Sequence, residues 1–206
     1  MVGQCVRMWP SYVYLKDIYD SKKYGKLKRI SLKRNSSLPA WGWENWYAND
    51  EKSGSAIFDL HIHDIDYLRY LMGEPEKIDC YGDKLYIKSI LRYKDCMAEI
   101  ENSWDFPKSF PFNTGFRADF EEASLTLQGK KINIYENSGR LLQVDPDNDY
   151  DDERMGEKIS SLGGYFYELK YFYDCLLKNE EIKIATLDEA ISSVKLIYKE
   201  IERMNS

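Results

Sequence analysis

Apolar residues recur along the chain with two periods, and turn residues mark where one period gives way to the other. Residues 2–9 read as a short strand. Pro10 suits a first helical position, and residues 11–24 carry Val13, Leu15, Ile18 and Tyr19 at helical spacing, with Gly25 as a stop. Residues 26–34 alternate: Ile30 and Leu32 face one way, Arg29, Ser31 and Lys33 the other. Residues 35–53 follow neither period. They hold Trp41, Trp43, Trp46 and Tyr47, broken by Pro39 and Gly42. So long an irregular stretch is either functional or a surface excursion pinned by its aromatic rings.

Residues 55–72 give the clearest helix, stopped by Gly73 and followed by Pro75. Period-two segments then succeed one another at 77–81, 84–93, 97–104, 116–120, 123–127, 132–136 and 141–144. Short turns at Gly129-Lys130 and Asn137-Ser138-Gly139 predict an antiparallel meander. Two helices close the chain. The first, 164–177, carries Phe166, Leu169, Phe172, Tyr173 and Leu176 at helical spacing. The second starts at the capping box Thr186-Leu187-Asp188-Glu189. Segregated strands and helices make this an α+β fold, with helices packed on one face of the sheet. The other face is left to solvent, another domain or another subunit.

Composition narrows the partners. The chain has 206 residues, 43% of them hydrophobic and 31% charged, which suits one globular domain over 1–206. A net charge of −6 argues against nucleic acid or an anionic membrane surface as the main partner. No apolar run reaches the roughly 18 residues of a membrane span, and the polar opening residues lead us to expect no secretory leader. Cys5, Cys80, Cys96 and Cys175 lack CxxC spacing, which predicts neither a zinc site nor a disulfide framework and fits a reducing, cytoplasmic setting. Carboxylates at 145, 147, 149, 151 and 152 invite a calcium reading, but the EF-hand glycine and glutamate are missing; no metal site is expected.

Both histidines fall in Asp59-Leu60-His61-Ile62-His63-Asp64-Ile65-Asp66. Read as a strand, this resembles an HxH hydrolase metal motif, yet no later histidine exists to complete such a site. Read as a helix, it places Asp59, His63 and Asp66 within an arc of about 60°, and His61 about 200° from Asp59. The apolar flanks Phe58, Ile62, Ile65, Leu68 and Met72 favour the helix. An Asp and a His one turn apart suit acid–base chemistry on a hydroxyl. The plain alternative is a helix whose histidine satisfies a core hydrogen bond.

Ser53-Gly54-Ser55-Ala56-Ile57-Phe58-Asp59, His61 to Asp66 and Leu68 to Gly73 together resemble the GG-xxx-DxxxHxxD helix of the Gfo/Idh/MocA oxidoreductases. Val6 to Pro10 resembles that family's first segment after its nucleotide domain. Tyr165 to Leu169 with Tyr171 to Tyr173 resembles its Y-x-x-E-x-x-x-F helix, and Thr186 to Ala190 its closing helix. The resemblance implies a C-terminal domain with a mostly antiparallel, open-faced mixed sheet that often forms the oligomer interface. It implies a catalytic pair, His63 as proton relay and Asp59 as substrate orienter, with Arg7 and Trp9 as further substrate contacts. Tyr165 and Glu168 are expected to pack and cap.

The intact protein would use NAD or NADP on a sugar, cyclitol or related polyol. Several features depart from the family. No strand leads into G-x-G-x-x-G, the Glu-Lys-Pro segment is absent, and Gly54-Ser55 replaces Gly-Gly. The nucleotide-binding domain is thus expected to be missing, this chain alone to be silent, and no cofactor to bind it. The alternative is a stand-alone binding or assembly module that uses the sheet face, whose strands carry Tyr, Phe and Trp.

Overall fold

The computed structural model describes residues 1–146 and 163–204. Most of the acidic stretch on which the calcium reading fell lies outside the described residues. Eight strands form one sheet: β1 (Leu27–Asn35), β2 (Lys77–Gly82), β3 (Tyr86–Arg92), β4 (Met97–Ser103), β5 (Asn113–Phe120), β6 (Ala123–Gln128), β7 (Lys131–Glu136) and β8 (Leu141–Val144). Their spatial order is β2-β3-β4-β1-β5-β6-β7-β8. The predicted meander is therefore interrupted. β1 inserts between β4 and β5, parallel to the first and antiparallel to the second. The short turns predicted correctly which strands are hairpin partners, but β4 and β5 are joined by a longer connection, residues 104–112, that steps over β1.

β1 holds the sheet's centre. Ile30 lies between Ala98 and Ala118, and Leu32 between Ile100 and Phe116, all buried. That inward face is covered by α1 (Pro10–Ser21), by the helix ending in α3 (Ile62–Met72), and by α5 (Leu187–Met204). The outward face carries Ser31, Lys33, Glu99, Glu101, Arg117 and Thr126. Phe116, Phe120 and Trp104 turn inward, while Tyr81 and Tyr135 stay exposed, so the open face is polar at its centre with tyrosines toward its edges.

Three expectations change. Residues 5–8 form a 3-10 turn, not a strand: Cys5, Val6, Arg7 and Met8 are all buried in succession, which an alternating strand could not achieve. The first long helix ends at Lys22, in the left-handed conformation, three residues before Gly25. The third change concerns α4 (Gly163–Lys178), which is helical as predicted but packs through Gly164, Glu168 and Cys175, leaving Leu169, Tyr173, Leu176 and Leu177 exposed. Gly164 sets that approach: a Cβ there would lie 1.9 Å from Trp9 Cδ1. The capping box forms as read, with Thr186 N–H donating to Glu189 Oε2 at 2.9 Å and Glu189 N–H to Thr186 Oγ1 at 3.3 Å. No described helix is long and apolar enough to cross a membrane.

Candidate functional site

The helix that carries the histidines opens with a wide π turn, Ile57–His61, before tightening into α3. Such single-turn insertions recur at functional sites because they re-aim side chains without ending the helix. Just ahead of it, Gly54 and Ser55 both hold positive φ, 70° and 67°. That is a glycine conformation, and a serine in it is strained.

Asp59 and His63 line one cavity of about 660 Å³. This is within the roughly 300–1,000 Å³ typical of small-molecule sites. Its floor and walls also include Cys5, Trp9, Arg34, Trp104 and Tyr165, with Trp41 and Tyr47 from the irregular loop. The remaining member of the predicted arc is elsewhere. Asp66 is buried against Arg7 and Ser193, because the π turn changes the helical phase behind it.

The electrostatics separate the two catalytic candidates. Burial, with the Arg34 charge adding to it, pushes the His63 imidazole down to about 4; its Nδ1 is buried without a hydrogen-bond partner. His63 is neutral at physiological pH and free to accept a proton. Burial also raises the Asp59 carboxyl above its ordinary value, with Arg34 opposing.

Arg34 is the residue that the sequence reading missed. It continues the inward face of β1 beyond Ile30 and Leu32, between Asn102 and Thr114. Its Nη2 donates to Asp64 Oδ1 at 2.9 Å, while Nε is buried without a partner. The signal was present in the strand alternation: a charged residue at an inward position is costly unless paired or used.

Arg7 is not in the cavity lining. Its guanidinium makes two bonds to Asp66, at 2.6 and 2.8 Å, and one to Glu189 at 2.8 Å, and it stacks over Tyr70. The placement of Arg7 at the substrate is corrected by this: the side chain is consumed in tying the N-terminal turn to α3 and α5. Trp9 does line the cavity and meets Tyr165 edge-on, 6.5 Å between centroids. Tyr165 thus reaches the cavity instead of only packing the helix. Glu168 leaves Oε1 buried and unpartnered, and burial raises its carboxyl.

His61 faces the opposite side, as the helical reading placed it. It is fully buried, with Nδ1 donating to Asn102 Oδ1 at 2.5 Å and Nε2 lying 3.1 Å from Glu200 Oε2 and 3.3 Å from Ser89 Oγ. Asn102 Nδ2 donates onward to Asp64 Oδ2 at 2.7 Å. A continuous chain of contacts therefore runs from Glu200 on α5 through His61, Asn102 and Asp64 to Arg34 in the cavity wall.

Among the described residues no strand leads through a glycine-rich turn into a helix. The chemistry these side chains support is hydroxyl binding and proton transfer.

Comparison with known proteins places this architecture. The family model described as the GFO/IDH/MocA C-terminal domain matches residues 12–131. An uncharacterized oxidoreductase of Synechocystis is 33% identical over 75 residues, 35% of this chain and 20% of that protein. Among solved structures, levoglucosan dehydrogenase in complex with NADH and levoglucosan superposes with a TM-score of 0.80 at 13% identity, over 100% of this chain and 64% of that one. An Agrobacterium radiobacter oxidoreductase in complex with NAD+, L-tartaric acid and magnesium gives a TM-score of 0.74 at 14% identity, over 100% and 63%. The chain spans under two thirds of the length of these relatives.

Proposed function

The chain belongs to the GFO/IDH/MocA C-terminal domain family, and from that premise we propose that it is the substrate-side domain of an NAD- or NADP-dependent oxidoreductase acting on a sugar, cyclitol or related polyol. The observation that carries this reading is the cavity in which Asp59 and a neutral His63 lie together, walled by aromatic rings. Relatives of the same fold were solved with NADH and levoglucosan or with NAD+ and L-tartaric acid, and levoglucosan and tartaric acid are small hydroxylated molecules.

In this reading Asp59 accepts a hydrogen bond from a substrate hydroxyl and orients it. His63 takes the hydroxyl proton as the carbon is oxidised, and returns it in the reverse direction. Arg34 acts on both, adding to the burial that keeps His63 neutral and opposing the rise at Asp59. The nicotinamide, which would accept the hydride, belongs to a nucleotide domain outside these residues, so the chain by itself is inactive.

The test uses the complete gene product with NAD+ or NADP+ and a panel of sugars and cyclitols. His63→Gln and Asp59→Asn should each lower turnover by about 10²–10⁴-fold with folding unchanged. Variants that turn over as fast as the unsubstituted protein would defeat the assignment. A second reading, an association module, draws on the exposed leucines of α4. A gene product no longer than this chain that forms oligomers, broken up by Leu169→Lys, would favour it.

A further inference from the structure

The proton chemistry leaves the irregular loop unexplained. Its Trp41 and Trp43 are 78% and 82% exposed, and large apolar rings in water usually mark a contact surface. The two are not equivalent. Trp41 lines the cavity, whereas Trp43 does not. Trp41 meets the Tyr47 ring at 4.9 Å between centroids, and Tyr47 meets Trp104 at 5.6 Å, both edge to face.

Three rings thus run in sequence from the buried Trp104 to the open Trp41. Tyr47 and Trp104 line the same cavity as Asp59 and His63. Trp41 stands one ring farther out. Between Trp41 and Tyr47, Glu44 and Asn45 both hold left-handed backbone conformations, φ 48° and 57°. Strain of this kind in two successive non-glycine residues persists where the surroundings impose it, and it clusters at ligand sites.

We propose that Trp41 forms an outer subsite that stacks on the apolar face of a second sugar ring. The ligand of the site is then a disaccharide or similar glycoside whose reacting ring lies against Asp59 and His63. This rests on the reading of the Asp59–His63 cavity as the substrate site and extends it outward. A pyranose presents axial C–H groups on one face, and an indole offers a flat, electron-rich surface to receive them. Trp41 lines the same cavity as Asp59 and His63, which suits a small ligand better than a protein surface.

The five tryptophans each give one indole N–H signal in a ¹H–¹⁵N spectrum of this chain. Single Trp→Phe variants assign them. The probes are maltose, cellobiose and lactose, set against methyl α-D-glucopyranoside and myo-inositol. At least one disaccharide should shift the Trp41 signal and bind about tenfold more tightly than the single-ring probes. Trp41→Ala should remove that advantage, and Trp43→Ala should leave it intact. If single-ring probes shift the amides around Asp59 and His63 while disaccharides bind no better and the Trp41 signal stays still, the outer subsite is wrong and the cavity reading survives. If no probe moves any indole or any amide near Asp59 and His63, both fall. Disaccharide binding that is lost in Trp43→Ala but kept in Trp41→Ala also overturns the proposal.

Discussion

His61 and His63 stand two residues apart on one helix and occupy opposite environments. His61 is sealed between the sheet and α5, with Asn102, Glu200 and Ser89 around its ring. His63 looks into the cavity with Nδ1 unpartnered. Burial disfavours charge on both rings. For His61, Glu200, Asn102 and Asp64 outweigh that penalty and raise its pKa. At His63 burial dominates and the nearby Arg34 charge adds to it, bringing the pKa down to about 4. The same residue type therefore has its charged form favoured by its partners on one face and stays a neutral proton acceptor on the other, and the difference lies in what each face meets.

Breaking His61 should cost the most stability. His61→Gln strands the buried Glu200 and disturbs Asn102, and chemical denaturation should register a loss of about 3 kcal/mol. His63→Gln has no such partner to abandon, so at neutral pH it should change stability by less than about 1 kcal/mol. Equal losses in the two variants would erase the contrast.

Acidity should separate the two next. His63 has a folded pKa of about 4 against 6.5 for the free side chain. Between those values the unfolded chain binds the extra proton, so stability rises with pH across that window, by up to roughly 3 kcal/mol. His63→Gln should flatten this acid limb. His61 has the opposite sign. Its folded pKa is raised, so its contribution is fully present below 6.5 and is lost as pH climbs through the folded value. His61→Gln should therefore remove a decline on the alkaline side. Denaturation series on both variants across pH 3–9 check the pair.

The smallest effect concerns the turn that aims this helix. Ser55 sits at φ 67°, and Ser55→Gly should raise stability by about 1 kcal/mol, measured as a higher denaturation midpoint. A loss would mean that the buried serine side chain matters more than its backbone.

The sequence carried much of this contrast. Period 3.6 over residues 55–72 put His61 and His63 on different sides, and the strand alternations located all eight strands to within a few residues. What it missed has physical reasons. Strand order is a long-range property, so nothing local announced that β1 would enter between β4 and β5. The π turn shifted the helical phase by one residue and took Asp66 out of the arc. The sequence reading puts Arg7 at the substrate, and only the fold brings Asp66 and Glu189, 59 and 182 residues away, against it. For α4 the spacing gave the helix but not which face would be covered, because Gly164 and Cys175 form a small, close-packing side that its apolar ridge outweighs in the pattern.

The most direct measurement is a titration of the two imidazoles by NMR, with His61→Gln and His63→Gln to assign them. The account predicts that His63 titrates near pH 4 and His61 above its ordinary value of 6.5. A His63 that titrates at or above 6.5 would be charged where the chemistry needs it neutral, and would contradict its role as the proton acceptor of this cavity.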